Sequence, residues 1–205
     1  MGSGPVMARC YSAAMAKRHP VPRLLLISDA RNDAFLARAL ARLPRGAQGQ
    51  GGASGLVFRH YHLDPPARAR RFAALRKLAR AHGVMLIAAG PPCGRGAQGR
   101  YGAPGTLARV PGPPQSGLRL ATAHNGREIG QAVRARADAV LLSPVFPTRS
   151  HPGGRVLGGL RFALLAARCP LPVLALGGMD AARARRLVAP QGPAHGWAAI
   201  DGLSG

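Results

Sequence analysis

The stretch that most constrains the fold is residues 137–154, ADAVLLSPVFPTRSHPGG. Within it, Asp138-Ala139-Val140-Leu141-Leu142 is a short run without polar alternation, which predicts a strand that is apolar on both faces. Such a strand does not suit a sheet with one wet face; it belongs in a parallel sheet covered by helices. It stops at Ser143-Pro144 and yields to a loop that carries Thr148, Arg149, Ser150 and His151. Polar groups just past a strand's carboxyl end lie where parallel sheets place their ligands.

The pattern recurs along the chain. Strands of the same character are predicted at 23–29 (RLLLISD), 56–61 (LVFRHY), 84–88 (VMLIA), 118–122 (LRLAT), 172–176 (PVLAL) and 196–200 (GWAAI), with a very short one at 100–102. Helical spacing falls between them, at 34–43, 65–82, 125–136, 157–168 and 180–189. Pro65-Pro66 suits the first turn of a helix, Asn125 with Glu128 forms a capping-box pattern, and Asp180 is a cap. Eight short strands alternating with helices predict an α/β protein, a compact (β/α)8 TIM barrel whose final outer helix is missing. A doubly wound open sheet is the alternative, but no G-x-G-x-x-G follows the first strand. Residues 1–20 read as a disordered N-terminal tail and 21–205 as one barrel domain, with a Gly/Pro-rich segment at 89–114.

Charge narrows the partners less than its size suggests. The formal net charge is +22, yet of 29 basic residues all but Lys17 and Lys77 are Arg, and they are scattered. Nucleic-acid surfaces combine basic runs with aromatics or a recognisable module, and aromatics are only 4% here. A specific nucleic-acid partner is therefore not expected, although the positive potential favours anionic ligands. No apolar run reaches the roughly 18 residues of a membrane span. Cys10, Cys93 and Cys169 share no metal or disulfide spacing, which suits a cytoplasmic location.

In a barrel, the strand ends bring together Asp29, Arg59, His60, Thr122, His124, Ser143, Thr148, Ser150, His151, Gly177, Gly178 and Asp201. Gly177-Gly178, between a strand and a capped helix, suits a phosphate-binding turn or simply a tight turn. His124 is placed to act as general acid and base, or to hydrogen-bond at a helix start. Arg59 is placed to clamp an anion, or is one more arginine. His60, His62, His82 and His195 have no spacing that supports a metal site, and no role is assigned to them. No lysine falls at a strand end, which excludes a Schiff-base aldolase.

The runs T-A-H-N at 122–125, A-D-A-V-L-L-S-P-V-F-P-T-R-S-H at 137–151 and P-V-L-A-L-G-G-M at 172–179 resemble the thiamine phosphate synthase family, which includes the TenI-type thiazole tautomerases. L-L-L-I-S-D at 24–29 and V-F-R at 57–59 fit the same family's first two strands. The resemblance implies a (β/α)8 barrel of thiamine biosynthesis, commonly a homodimer. It implies a thiazole phosphate facing Thr148, Ser150, Gly177 and Gly178, with Arg59 and Thr122 at the pyrophosphate. Synthases of the family join a pyrimidine methyl pyrophosphate to a thiazole phosphate with the help of magnesium. This chain departs from them where that chemistry lies. Ala88-Ala89 stands for an Asn-Asp pair, no acidic residue occurs from 65 to 127, and His151 and Tyr61 stand for lysines. Asp201 stands where a small hydroxyl residue is usual near the phosphate. TenI-type relatives also lack the pyrophosphate machinery and keep a histidine matching His124.

The expected activity is therefore TenI-like proton transfer on a thiazole phosphate, with His124 as acid and base and Arg59, Thr122, Thr148, Ser150, His151, Gly177 and Gly178 binding substrate. The expected partner is a small phosphorylated thiazole or pyrimidine ligand. No cofactor is expected, and magnesium only if synthase activity survives. The alternatives are the synthase itself, a non-catalytic barrel that binds a phosphate ligand, and a basic nucleic-acid-binding protein.

Overall fold

The computed structural model describes residues 20–45, 54–91, 93–109, 117–149, 153–201 and 203. The expected N-terminal tail, Ser150 and His151 lie outside the described residues.

Eight parallel strands close into a barrel in sequence order. They are β1 (Leu24–Ile27), β2 (Ser54–Phe58), β3 (Met85–Ala89), β4 (Gly99–Gly102), β5 (Leu118–Ala123), β6 (Ala139–Leu142), β7 (Val173–Leu176) and β8 (Gly196–Ala199). Between them run α1 (Leu36–Arg42), which follows a 3-10 helix (Ala30–Phe35), then α2 (Pro65–Ala81), α3 (Pro104–Ala108), α4 (Gly126–Arg134), α5 (Gly158–Ala167) and α6 (Ala181–Leu187). The helix α3 lies inside the Gly/Pro-rich segment, where only a strand was expected. Pro104 sits in its first turn, where a missing N–H costs nothing.

The two-sided apolar strands are explained by two layers. Leu25, Ile27, Val57, Ile87, Leu120, Leu141 and Leu174 point inward and fill the barrel. Their sequence neighbours Leu26, Leu56 and Leu86 point outward onto Leu36, Leu40, Phe72 and Leu75 of α1 and α2. On the opposite side Val140, Leu142, Val173 and Ala175 pack against Ile129, Phe162, Ala166 and Leu187 of α4 to α6. Burying each Leu or Phe removes its surface from water for about 1.5–3 kcal/mol, so a polar residue at either position of the alternation would be costly.

β1 pairs with both β2 and β8, Leu25 standing opposite Gly55 on one side and Ala198 on the other. Among the described residues no helix follows β8. The carboxyl end of this seam is instead tied by Asn32, which is 2% exposed. Its Nδ2 donates to Ile27 O and to Ile200 O, both at 2.9 Å, while its Oδ1 accepts from Asp29 N at 2.9 Å. One amide thus joins both strand ends to the cap of the 3-10 helix.

Candidate active site

The carboxyl ends of the strands surround a cavity of about 1200 Å³. Of the residues singled out from sequence, Arg59, Thr122, His124, Ser143, Thr148, Gly177, Gly178 and Asp201 line it. His60 does not; it is fully buried beneath the rim.

His124 follows β5 directly, and its loop is fixed by α4. Asn125 caps that helix, its Oδ1 accepting from Glu128 N at 3.0 Å. Glu128 reaches back with Oε1 to Asn125 Nδ2 at 2.8 Å and with Oε2 to His124 N at 2.9 Å. The carboxylate therefore holds the backbone of the residue before the cap as well as the cap's side chain. The ring itself is oriented from β6, with Nδ1 at 2.7 Å from Ser143 O. A carbonyl only accepts, so Nδ1 carries the proton and neutral His124 keeps its lone pair on Nε2.

Gly177 and Gly178 have φ of 96° and 61°. A Cβ on Gly177 would come within 2.7 Å of Pro144 Cα, and one on Gly178 would clash with the Pro147 carbonyl. The turn lies tightly on the Val145–Pro147 loop: Val145 N donates to Leu176 O at 2.9 Å and Phe146 N to Gly177 O at 3.1 Å. Both glycines are thus demanded by backbone conformation and close approach. The first turn of α6 is served by its own carboxylate, Asp180 Oδ1 accepting from Arg183 N at 2.8 Å. The attraction for an anion on this side comes instead from Arg149, Arg155, Arg161 and Arg183, which line the cavity with Gly177 and Gly178. Arg183 also donates to Gly178 O and lies over the Phe146 ring at 5.0 Å.

Asp201 does not stand as an isolated negative charge. Its Oδ2 lies 3.3 Å from Arg31 Nη1, Arg31 Nε lies 3.0 Å from Asp29 Oδ1, and Asp29 Oδ2 lies 3.9 Å from Arg59 Nη2. Carboxylates and guanidiniums thus alternate along the rim from β8 to β2. Burial alone would push the Asp29 carboxyl up, but hydrogen bonds from Arg31 and the charges of Arg31 and Arg59 outweigh it and hold the group below its ordinary range.

Arg59 is fixed at both ends of its residue. Its N–H donates to Ser28 Oγ at 2.9 Å. Its carbonyl accepts from Arg68 Nε at 3.3 Å and Nη2 at 3.2 Å. Arg68 is 7% exposed and spends its remaining donors on Pro91 O at 2.9 Å and Ala89 O at 2.5 Å. Ser28 is positioned in turn by His60, whose Nδ1 lies 2.8 Å away, while His60 Nε2 lies 2.6 Å from Asp33 Oδ1. Since Ser28 Oγ already accepts from Arg59, its hydroxyl donates to Nδ1, and the His60 proton sits on Nε2 facing Asp33. Asp33 is also held by Arg71 at 2.7 Å. Burial pushes the His60 pKa down, only partly offset by Asp33, so the ring is neutral.

Sequence reasoning missed several of these groups. Arg68, Arg155, Arg161 and Arg183 were indistinguishable among the arginines. Tyr101, at the end of β4, is 9% exposed, and burial pushes its phenol up to about 12. It remains a protonated donor beside Arg59 and Thr122. Its sequence signal was a four-residue strand in a Gly-rich segment, too short to show alternation.

A magnesium ion would need oxygen ligands. The ends of β3 and β4 offer Ala88, Ala89, Gly102 and Ala103, and the Ala89 carbonyl is taken by the Arg68 guanidinium. Among the described residues no group of three His, Cys, Asp or Glu is placed to hold a metal. This donor set does not fit magnesium.

Comparison with known proteins bears on the lower half of the sequence and on the fold. Residues 120–203 match the sequence profile of the family described as thiamine monophosphate synthase. No curated protein matches the chain. Among solved structures, a thiamine phosphate pyrophosphorylase from Pyrococcus furiosus is 21% identical over 87% of this chain and 85% of that one, with a TM-score of 0.65. A FabK mutant from Thermotoga maritima is 14% identical over 89% of this chain and 62% of that one, with a TM-score of 0.61. Identities this low bear on the fold alone, and these structures share the barrel. The matched residues 120–203 supply most of β5 and all of β6 to β8, together with His124, Thr148, Gly177 and Gly178, and over that segment the chain is similar to the thiamine monophosphate synthase family.

Proposed function

We propose that the protein is a thiamine-pathway enzyme of the TenI type, moving a proton on the ring of a thiazole phosphate. The observation that carries this reading is His124, whose Nδ1–H is committed to Ser143 O at 2.7 Å and whose Nε2 is left as a base in a cavity rich in arginine. Nε2 takes a proton from one ring atom, and the resulting imidazolium returns it to another, so that the product is an isomer of the substrate. The Ser143 carbonyl keeps the ring oriented and stabilises the imidazolium through both steps. The Gly177-Gly178 turn and the arginines beside it favour the substrate's phosphate and any negative charge that develops as the proton leaves. The synthase reading is weaker because its leaving group needs a metal for which the β3 and β4 ends offer no carboxylate.

Purified protein should isomerise a thiazole carboxylate phosphate, followed by the change in ring absorbance. His124→Ala should lower that rate by roughly 10²–10⁴ with ligand affinity little changed. Magnesium-dependent formation of thiamine phosphate by the wild type would overturn the assignment. Binding of the phosphorylated thiazole without turnover would instead favour a non-catalytic barrel.

A further inference from the structure

Tyr101 belongs both to the interior of the barrel and to the wall of the cavity. It packs with Leu25, Ile27, Leu120, Leu141 and Leu174, and at 9% exposure it also lines the cavity. Its place is fixed by the backbone. It stands in register with Ala89 of β3 and Leu120 of β5. Two positions earlier, Gly99 lies so close to β5 that a Cβ there would come within 2.6 Å of Leu118 O. Among the described residues nothing hydrogen-bonds the Tyr101 hydroxyl. A buried hydroxyl without a partner costs stability that phenylalanine, with the same ring, would not. The apolar cluster around Tyr101 reaches the cavity through Leu176 and Ala198, neither of which has a side-chain acceptor to offer. Burial pushes the phenol up to about 12, with the charge of Arg59 working the other way, so the group is a donor at any ordinary pH.

We infer that Tyr101 is a specificity-determining residue at the floor of the cavity, its hydroxyl donating to a carboxylate on the end of the ligand remote from the phosphate. The inference rests on the proposed function in placing that phosphate beside Gly177 and Gly178. Those glycines lie past the end of β7, whereas Tyr101 lies within β4, three strands away around the closed ring of eight. A ligand with its phosphate among Arg149, Arg155, Arg161 and Arg183 therefore turns its opposite end toward Tyr101. His124 follows β5, the strand paired with β4, so the ring between those two ends is brought to the imidazole. The Arg59 charge that reaches the phenol favours an anionic acceptor over a neutral one. A carboxylate meets an apolar floor at a high desolvation cost, and a preplaced charge-assisted hydrogen bond offsets it. A ligand with no acceptor at that end leaves the hydroxyl unpaired, which is how one buried donor discriminates.

Calorimetric titration of the full chain with two probes tests this. One is a thiazole carboxylate phosphate; the other is the same thiazole phosphate with hydrogen in place of the carboxylate. Tyr101→Phe keeps the ring and its packing, and its thermal midpoint should be no lower than that of the wild type, because no hydrogen bond within the protein is lost. It should weaken binding of the carboxylate probe at least tenfold, roughly the weight of a hydrogen bond to a charged group, and change binding of the other less than twofold. Equal weakening of both probes, which a merely structural role would produce, would overturn the inference. So would no weakening of either, or a wild type that does not bind the carboxylate probe. If the wild type binds that probe without isomerising it and Tyr101→Phe loses the preference, the proposed activity fails and this inference stands. Isomerisation by the wild type with an unchanged preference in Tyr101→Phe would do the reverse.

Discussion

His60 is fully buried, with Ser28 and Asp33 on its two ring nitrogens. Burial disfavours its charged form and lowers its pKa below the ordinary 6.5, with the Asp33 hydrogen bond working the other way. Asp33 is itself held below 3.8, hydrogen bonds and charge from His60 and Arg71 outweighing the effect of burial. Both folded-state values are depressed, so the unfolded chain binds more protons as the solution is acidified. The His60 contribution is present above about pH 6.5 and is lost as the pH falls through the lowered value; the Asp33 contribution is lost below pH 3.8 in the same sense. Urea midpoints should therefore fall between pH 7.5 and 5.5 in the wild type and fall less in His60→Asn. An equal decline in both would remove His60 as the source.

Secondary structure elements meet the cavity through their ends, and the ends are where substitutions should separate stability from function. Asp64 caps α2, its Oδ1 accepting from Ala67 N at 2.7 Å, ahead of the expected Pro65-Pro66 start. Asp64 does not line the cavity, so Asp64→Ala should cost about 1 kcal/mol in a urea titration and leave affinity for the phosphorylated thiazole alone. The β7–α6 turn should behave differently. Gly178→Ala places a Cβ on a residue at φ 61° against the Pro147 carbonyl and Phe146. Roughly 1–3 kcal/mol of stability should be lost, together with the proposed isomerase activity, because the loop carrying Thr148 rests on that turn. Unchanged stability in Gly178→Ala would mean that the loop yields without cost.

At the level of the whole molecule, the net charge is +22, and the basic residues among those described lie mostly on helices and loops, with only Arg100 and Arg119 in strands. Such a distribution attracts polyanions without selecting among them. Oligonucleotide binding, measured by fluorescence anisotropy, should be weak, indifferent to base sequence and lost near physiological salt. Tight, sequence-selective binding at that ionic strength would favour the nucleic-acid alternative over the enzyme.

What the sequence determined by itself was the order of the strands and the face of the barrel to watch. Runs such as LLLI and AVLL cannot be solvated on either side, and the breaks at Ser143-Pro144 and Gly177-Gly178 mark strand ends through local backbone chemistry. Those signals are short-range, which is why His124, Arg59, Thr122 and Thr148 were legible as lining one mouth. The tertiary structure decided the state of each charge. Asp201 stands in the sequence as a carboxylate where a small hydroxyl residue is usual, and only the fold brings Arg31, 170 residues away in sequence, to 3.3 Å from it. His60 had no sequence partner because Ser28 and Asp33 stand 32 and 27 positions away. Arg68, one arginine among many, became a buried clamp because α2 lays it across the ends of β2 and β3. The energy of a charge depends on its distance to other charges and on its burial, and barrel closure sets both by joining strands that are far apart in the chain.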